Sequence, residues 1–307
     1  MTFRIILFYT IPMSISADPI GKISARNLSA TIKALALDLD GTLLAPGAVL
    51  SDRTIKAIKA CRERGLQIII TTGRAIEAVE PFRASLGAEG PMVCYNGAIV
   101  VDMPGNQILS STLMDAKAVE FCVDFAREMG LYCQAYFPSG DFDDSNTSPR
   151  IILKAERDGP EREMYHKHTG LLAELVDLKE ELQSPGLRGC VKAMFLAEPE
   201  VLAAIRPRLE AHFKGSVYIA QTLRTFLELM NVKVSKGQGL KFIMERCSLK
   251  SEEVIAFGDE ESDLTMFSVA GFFAAPSNAK EAVKAQADIV IGSNAEDGVA
   301  AFLEEFF

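Results

Sequence analysis

Histidine is scarce in this 307-residue chain, which has only His166, His168 and His212. His166 and His168 stand two apart, so on a helix they face away from each other, and three such scattered imidazoles do not make a three-histidine metal site. The six cysteines (Cys61, Cys94, Cys122, Cys133, Cys190 and Cys247) form no C-x-x-C pair. Most lie in apolar runs, which argues against a disulfide frame or zinc site and for buried, reduced thiols in a cytoplasmic protein. Positive charge is also short. Thirty-two Lys and Arg face 41 Asp and Glu, for a net charge of −9. No basic field is available for a nucleic acid or an anionic membrane, so an anionic substrate must be held by a metal and a few placed cations.

Long apolar runs are missing too. The opening MTFRIILFYTIPMSISA imitates a secretory signal, but Pro12 breaks it and it is too short to span a bilayer. Residues 1–31 are expected to be a poorly ordered leader or an over-called start, with the fold beginning near Thr31. The acidic stretch DFDDS at residues 141–145 lacks the spacing and terminal Glu of a calcium hand and reads as a solvated turn. No heptad or single apolar patch stands out, so a monomer or weak homo-oligomer is expected.

What is present suits a globular protein: 49% hydrophobic and 24% charged residues can bury a sizeable interior. Lys33–Asp40 reads as a buried strand, Ser51 as the cap of a helix over Asp52–Arg64, and Gln67–Thr71 as a second strand. A helix over Ile76–Leu86 and a strand over Pro91–Tyr95 follow. The rhythm returns near the C-terminus, with helices at Gly237–Cys247, Asp263–Ala270, Ala279–Ala287 and Asp297–Phe306. Strands at Val254–Phe257, Gly271–Ala275 and Asp288–Ile291 alternate with them. This is an α/β pattern with a parallel sheet covered on both faces. Between the halves lie helices at Ala116–Gly130 and Pro199–Phe213 and strands at Leu131–Phe137, Cys190–Ala197, Ser216–Ala220 and Thr225–Met230. They suggest a smaller inserted α+β unit.

Four segments each fall at the carboxyl end of an expected core strand, where open sheets place ligands. Asp38-Leu39-Asp40-Gly41-Thr42 aims two carboxylates the same way, which is costly without a cation and suits a hard divalent ion. Thr71-Thr72-Gly73-Arg74 offers a hydroxyl and free amides to a phosphate oxygen. Ser235-Lys236-Gly237 brings a lysine to a helix start. Gly258-Asp259-Glu260-Glu261-Ser262-Asp263 adds carboxylates able to complete a metal shell.

With Asn96-Gly97-Ala98 and the closing Asp297-Gly298-Val299-Ala300, these segments resemble the haloacid dehalogenase superfamily of phosphatases. More narrowly, they are similar to its Cof-type group (subfamily IIB, with a C2 cap). The resemblance runs from Lys33 to the C-terminus. It implies a Rossmann-like core, a doubly wound parallel sheet, from residues 32–111 and 232–307, with an inserted α+β cap over 112–231. It implies hydrolysis of a small phosphorylated metabolite, a sugar phosphate or a phosphorylated cofactor, through an aspartyl-phosphate. Asp38 would be the nucleophile and Asp40 the general acid and base. One Asp38 oxygen, the Asp40 carbonyl and Asp259 would hold Mg²⁺, with Asp263 in its outer shell or holding Lys236. Leu39, Thr72, Gly73, Arg74, Asn96, Lys236 and Ser262 fall at phosphate- or substrate-binding positions, Thr72 and Lys236 on the transferring phosphoryl. Asn96, Arg74, Lys192 and Arg224 are candidates for choosing the substrate. Ser262 departs from the group, which has Asn there, and predicts weakened turnover. A phosphomutase of the related capped type, or a regulatory protein that lost activity, are the alternatives.

Overall fold

The computed structural model describes residues 30–103, 107–139, 150–184, 187 and 189–307. The DFDDS turn, and all but the last two residues of the expected leader, lie outside the described residues.

The chain starts β1 (Ala34–Leu37), α1 (Asp52–Glu63), β2 (Gln67–Ile70), α2 (Ile76–Leu86) and β3 (Gly90–Cys94). The Ser51 hydroxyl accepts from the Thr54 amide, the cap read from the sequence. Two unforeseen strands follow. β4 (Ile99–Met103) and β5 (Gln107–Ser111) fold back on β3 as an antiparallel ribbon. The reversal is local: Tyr95, Asn96 and Gly97 all have positive φ, at 51°, 56° and 104°. An Asn-Gly step between apolar runs is a strong hairpin signal. β3 therefore meets the parallel sheet through a bridge between Thr71 and Val93 instead of a full ladder.

The insertion runs β6 (Met114–Asp115), α3 (Ala116–Met129), β7 (Tyr132–Ser139), β8 (Arg150–Ala155), α4 (Pro160–Thr169) and β9 (Glu174–Leu175). It continues with α5 (Leu178–Leu182), β10 (Gly189–Cys190), β11 (Lys192–Leu196), α6 (Pro199–Phe213), β12 (Val217–Leu223) and β13 (Phe226–Asn231). The chain ends with α7 (Lys236–Arg246), β14 (Val254–Phe257), α8 (Leu264–Phe267) and β15 (Phe272–Pro276), then α9 (Glu281–Lys284), β16 (Ile289–Ile291) and α10 (Gly298–Phe306). α8 is shorter than the expected Asp263–Ala270 helix, because Asp263 ends a 3₁₀ turn in which its own carboxylate binds the amides of residues 259 and 260.

Five parallel strands in the order β16-β15-β14-β1-β2 form the core sheet. Alternation sends Leu35, Leu37, Ile255 and Phe257 to one face, against Ile58 of α1, Val79 of α2 and Phe302 of α10. Ala34, Ala36, Val254 and Ala256 pack the other face against Leu240 and Ile243 of α7. Helices thus cover both faces, the doubly wound arrangement expected. The cap sheet has the order β12-β13-β11-β7-β8-β9. Its outer face, with Phe137, Phe195 and Leu227, packs on α3 and α6. Its inner face, with Tyr136, Met194 and Phe226, belongs to the same apolar cluster as the core. All six cysteines are free and five are buried, as the sequence suggested.

Gly97 fixes how the β3–β4 turn meets α7. A Cβ there would lie 2.0 Å from the Ser235 carbonyl oxygen, on backbone already left-handed. Gly97→Ala should therefore destabilise the protein by more than about 2 kcal/mol in urea denaturation. An unchanged midpoint would contradict this packing.

Candidate active site

The carboxyl ends of β1 and β14 and the first turn of α7 meet around one ammonium. Asp38 follows β1, and its amide donates to the Phe257 carbonyl at 3.1 Å. Lys236 opens α7, whose start Ser235 caps by accepting from the Gln238 amide. The Lys236 Nζ lies 2.6 Å from Asp38 Oδ1 and 2.6 Å from Asp263 Oδ1. Asp263 is fully buried, and its Oδ2 accepts from the amides of Asp259 (3.1 Å) and Glu260 (2.9 Å). Asp259 Oδ1 accepts from the Thr42 hydroxyl at 2.8 Å. Gly41 makes that approach possible: its φ is 79°, and a Cβ would sit 2.2 Å from Asp259 Oδ2.

Oxygens of Asp38, Asp259 and Asp263 lie within 4.8 Å of one another. Three buried carboxylates against one ammonium leave excess negative charge, and the acidities record it. Burial pushes Asp38 well above the usual carboxylate range, with Lys236 opposing and Asp263 and Asp259 adding to the rise. Burial likewise lifts Asp259 to about 6, against its hydrogen bond from Thr42 and reinforced by Asp263. Burial would strip the proton from Lys236, but Asp263 and Asp38 overcome it and hold the group charged. Asp263 spends both oxygens on Lys236 and the 259–260 amides, whereas Asp38 and Asp259 each keep one oxygen outside these bonds. Hard oxygen donors around uncompensated charge fit a divalent cation such as Mg²⁺.

Beside this cluster, Thr72 is buried, its amide donating to the Val93 carbonyl (2.9 Å) and its hydroxyl accepting from the Arg74 amide (3.2 Å). The Asn96 amide group lies over Gly73, where a Cβ would come 2.9 Å from Asn96 Oδ1. The Asp40 side chain turns away from the acidic cluster and takes both Nε and Nη2 of Arg74 at 2.6 Å. The Leu39 side chain is fully buried, so only its backbone can meet a ligand. Asp38, Asp40, Gly73, Arg74, Asn96, Lys236 and Ser262 line one cavity of about 1040 Å³ that reaches the cap sheet. Of the cap candidates, Lys192 lines it; Arg224 sits exposed in the β12–β13 turn and does not. Glu228, Tyr165, Tyr218 and Lys280 line it as well. Sequence reasoning missed these four, since nothing local marks them.

Residues 35–303 match the haloacid dehalogenase-like hydrolase family. The chain belongs to this family. Among haloacid dehalogenase-like hydrolases, it is 30% identical over 281 residues to the pyridoxal phosphate phosphatase of Escherichia coli, covering 89% of this chain and 98% of that one. It is 28% identical over 291 residues to the 5-amino-6-(5-phospho-D-ribitylamino)uracil phosphatase of Bacillus subtilis, covering 89% and 98%. The crystal structure of TM0651 from Thermotoga maritima superposes with a TM-score of 0.76 at 29% identity, covering 89% of this chain and 97% of that one.

A carboxyl whose folded acidity is weakened favours folding at low pH, and that benefit is lost as pH rises through the folded value. For Asp259 the loss is complete above about 6. Asp259→Asn should therefore raise the melting temperature of the EDTA-treated protein at pH 7.5. Excess Mg²⁺ should raise the melting temperature of the wild type and not that of the variant. A variant that still responds to Mg²⁺ would contradict the assignment of Asp259 to the metal.

Proposed function

We propose that the chain is a Mg²⁺-dependent phosphatase that hydrolyses a small phosphorylated metabolite through an aspartyl-phosphate on Asp38. The convergence of Asp38, Lys236, Asp259 and Asp263, from segments far apart in sequence, on one buried volume carries this reading. The free Asp38 oxygen attacks phosphorus while Lys236 and Thr72 hold phosphoryl oxygens, whose charge is the main electrostatic problem of the transfer. As the ester P–O bond breaks, Asp40 gives its proton to the leaving oxygen. Asp40 then takes a proton from the water that attacks the aspartyl-phosphate, which releases inorganic phosphate and restores both carboxyls. Its side chain is exposed and lines the cavity, so it can reach the leaving oxygen and the attacking water, whereas Asp38 is closed in by its neighbours. Mg²⁺, held by Asp38, the Asp40 carbonyl and Asp259, would supply positive charge to the buried carboxylates and the transferring phosphoryl.

The inserted unit, which we take as residues 112–231, covers the site and would exclude water during the transfer. The substrates named for the Escherichia coli and Bacillus subtilis relatives differ from each other, so neither transfers directly. Reduced, buried thiols favour the cytoplasm. Burial lifts the Cys61 thiol to about 11 and Cys133 to about 12, beyond easy oxidation. No helix among the described residues is long and apolar enough to cross a membrane.

Phosphate release from p-nitrophenyl phosphate should require Mg²⁺ and fall at least about 10³-fold in Asp38→Asn. Full activity in EDTA, or in that variant, would contradict the mechanism. Ser262, which lines the cavity where the Cof-type group has Asn, should limit turnover. Ser262→Asn is expected to raise kcat, and an equal or lower value would show that the serine costs nothing.

A further inference from the structure

Two asparagines outside the acidic cluster hold the loop that carries Asp40. After Asp38 the chain makes one helical turn, in which the amides of Thr42, Leu43 and Leu44 all donate to the Leu39 carbonyl. The carbonyls of Gly41 and Leu44 find their side-chain partners far along the sequence. Asn278, between β15 and α9, donates from Nδ2 to the Gly41 carbonyl at 2.8 Å, across 237 residues. Asn294, between β16 and α10, donates from Nδ2 to the Leu44 carbonyl at 2.7 Å, across 250 residues. The two are joined, because the Asn294 backbone amide donates to Asn278 Oδ1 at 2.9 Å. That bond orients the Asn278 side chain: its oxygen is taken by an N–H, so its NH₂ is the end that meets Gly41. Neither asparagine lines the cavity over Asp38.

The segment that carries Asn278 also holds Asp259, whose carbonyl accepts from the Lys280 amide at 3.1 Å. Residues 278–280 therefore grip both acidic segments, beside the direct bond from Thr42 to Asp259. On the phosphatase reading, Asp40 meets the metal through its backbone carbonyl. A side chain reaches a metal by choosing a rotamer, but a backbone carbonyl lies where its loop puts it. The peptide in question joins Asp40 to Gly41, and residue 41 must stay glycine, since a Cβ there would lie 2.2 Å from Asp259 Oδ2. Glycine is the most freely rotating residue, so that peptide needs a hold from outside. Asn278 supplies it by fixing the next carbonyl. Stability does not explain the bonds: Asn278 is exposed and Asn294 half-buried, and water replaces such hydrogen bonds at little cost.

We infer that Asn278 and Asn294 are positioning residues for the metal, a clasp that holds the turn over residues 39–44 so that the Asp40 carbonyl and Asp259 face one ion together. The inference rests on the phosphatase reading and goes beyond it, to residues that touch neither metal nor substrate.

The test is metal affinity, read without turnover. The full chain, freed of metal with EDTA, is titrated with Mg²⁺ and followed by its melting temperature, and titrated with Mn²⁺ and followed by electron paramagnetic resonance of the free ion. Asn278→Ala should weaken binding of both ions by about tenfold. Its metal-free melting temperature should stay within about 2 °C of the wild type. At saturating Mg²⁺, its KM for p-nitrophenyl phosphate should stay within about twofold. Asn294→Ala keeps its backbone N–H on Asn278 and loses only the bond to Leu44, so it should weaken metal binding by a smaller factor. It stands in should Asn278→Ala fail to fold. Unchanged metal affinity in the folded variant would overturn the clasp and leave the phosphatase intact. So would a loss of affinity accompanied by an equal rise in KM or by a large fall in metal-free stability. A wild type that binds neither ion would overturn the clasp and the metal-dependent reading together.

Discussion

The contact of the Lys236 ammonium with Asp38 and Asp263 is the constraint on which the rest of the site depends. It spans 198 residues to one partner and 27 to the other, so it ties the two ends of the core fold together. Two like charges about 4 Å apart repel by about 4 kcal/mol at an effective dielectric of 20, and three carboxylates share this volume. One ammonium cannot offset them all. Burial first, and the neighbouring carboxylates after it, weaken the acidity of Asp38 and Asp259, and the uncompensated charge is the electrostatic reason for the cluster to take up a cation. Gly41 and Thr42 complete the arrangement, one by making room for Asp259 and the other by fixing its oxygen.

The cap repeats this logic in a milder form. Lys192 and Glu228 balance each other, so no metal is called for, although Glu228 Oε2 is buried without a hydrogen-bond partner. The two charged sites face one cavity from opposite walls. Between them the Tyr95 and Tyr136 rings meet edge to face at 5.4 Å, an apolar contact from the core to the cap. The acidic cluster thus sits at the end of the parallel sheet, and the Lys192–Glu228 pair on the sheet of the inserted unit.

Much of the core was legible because its signals are local. The apolar run before Asp38, the Ser51 cap and the run Val254–Phe257 each announce their element without help from distant residues. The reversal from β3 into β4 has a signal as well, in Asn96-Gly97, a step that suits a tight turn as readily as a binding motif. α4 escaped because only Tyr165 is buried and its charged residues show no apolar stripe. Its punctuation, Pro160 at the start and left-handed Gly170 at the end, was nonetheless in the sequence.

Within the site, the acidic and basic segments could be named but not their pairings. That Arg74 would engage Asp40, or that Lys192 would find Glu228 on the neighbouring strand two residues out of register, depends on how strands align, and no residue's neighbours in sequence disclose it. The account is tested most directly by diffraction from crystals soaked in Mn²⁺ in place of Mg²⁺. It predicts an anomalous peak bonded to Asp38 and Asp259, with Lys236 still on Asp263. A peak elsewhere, with Asp38 and Asp259 free of metal, would contradict it.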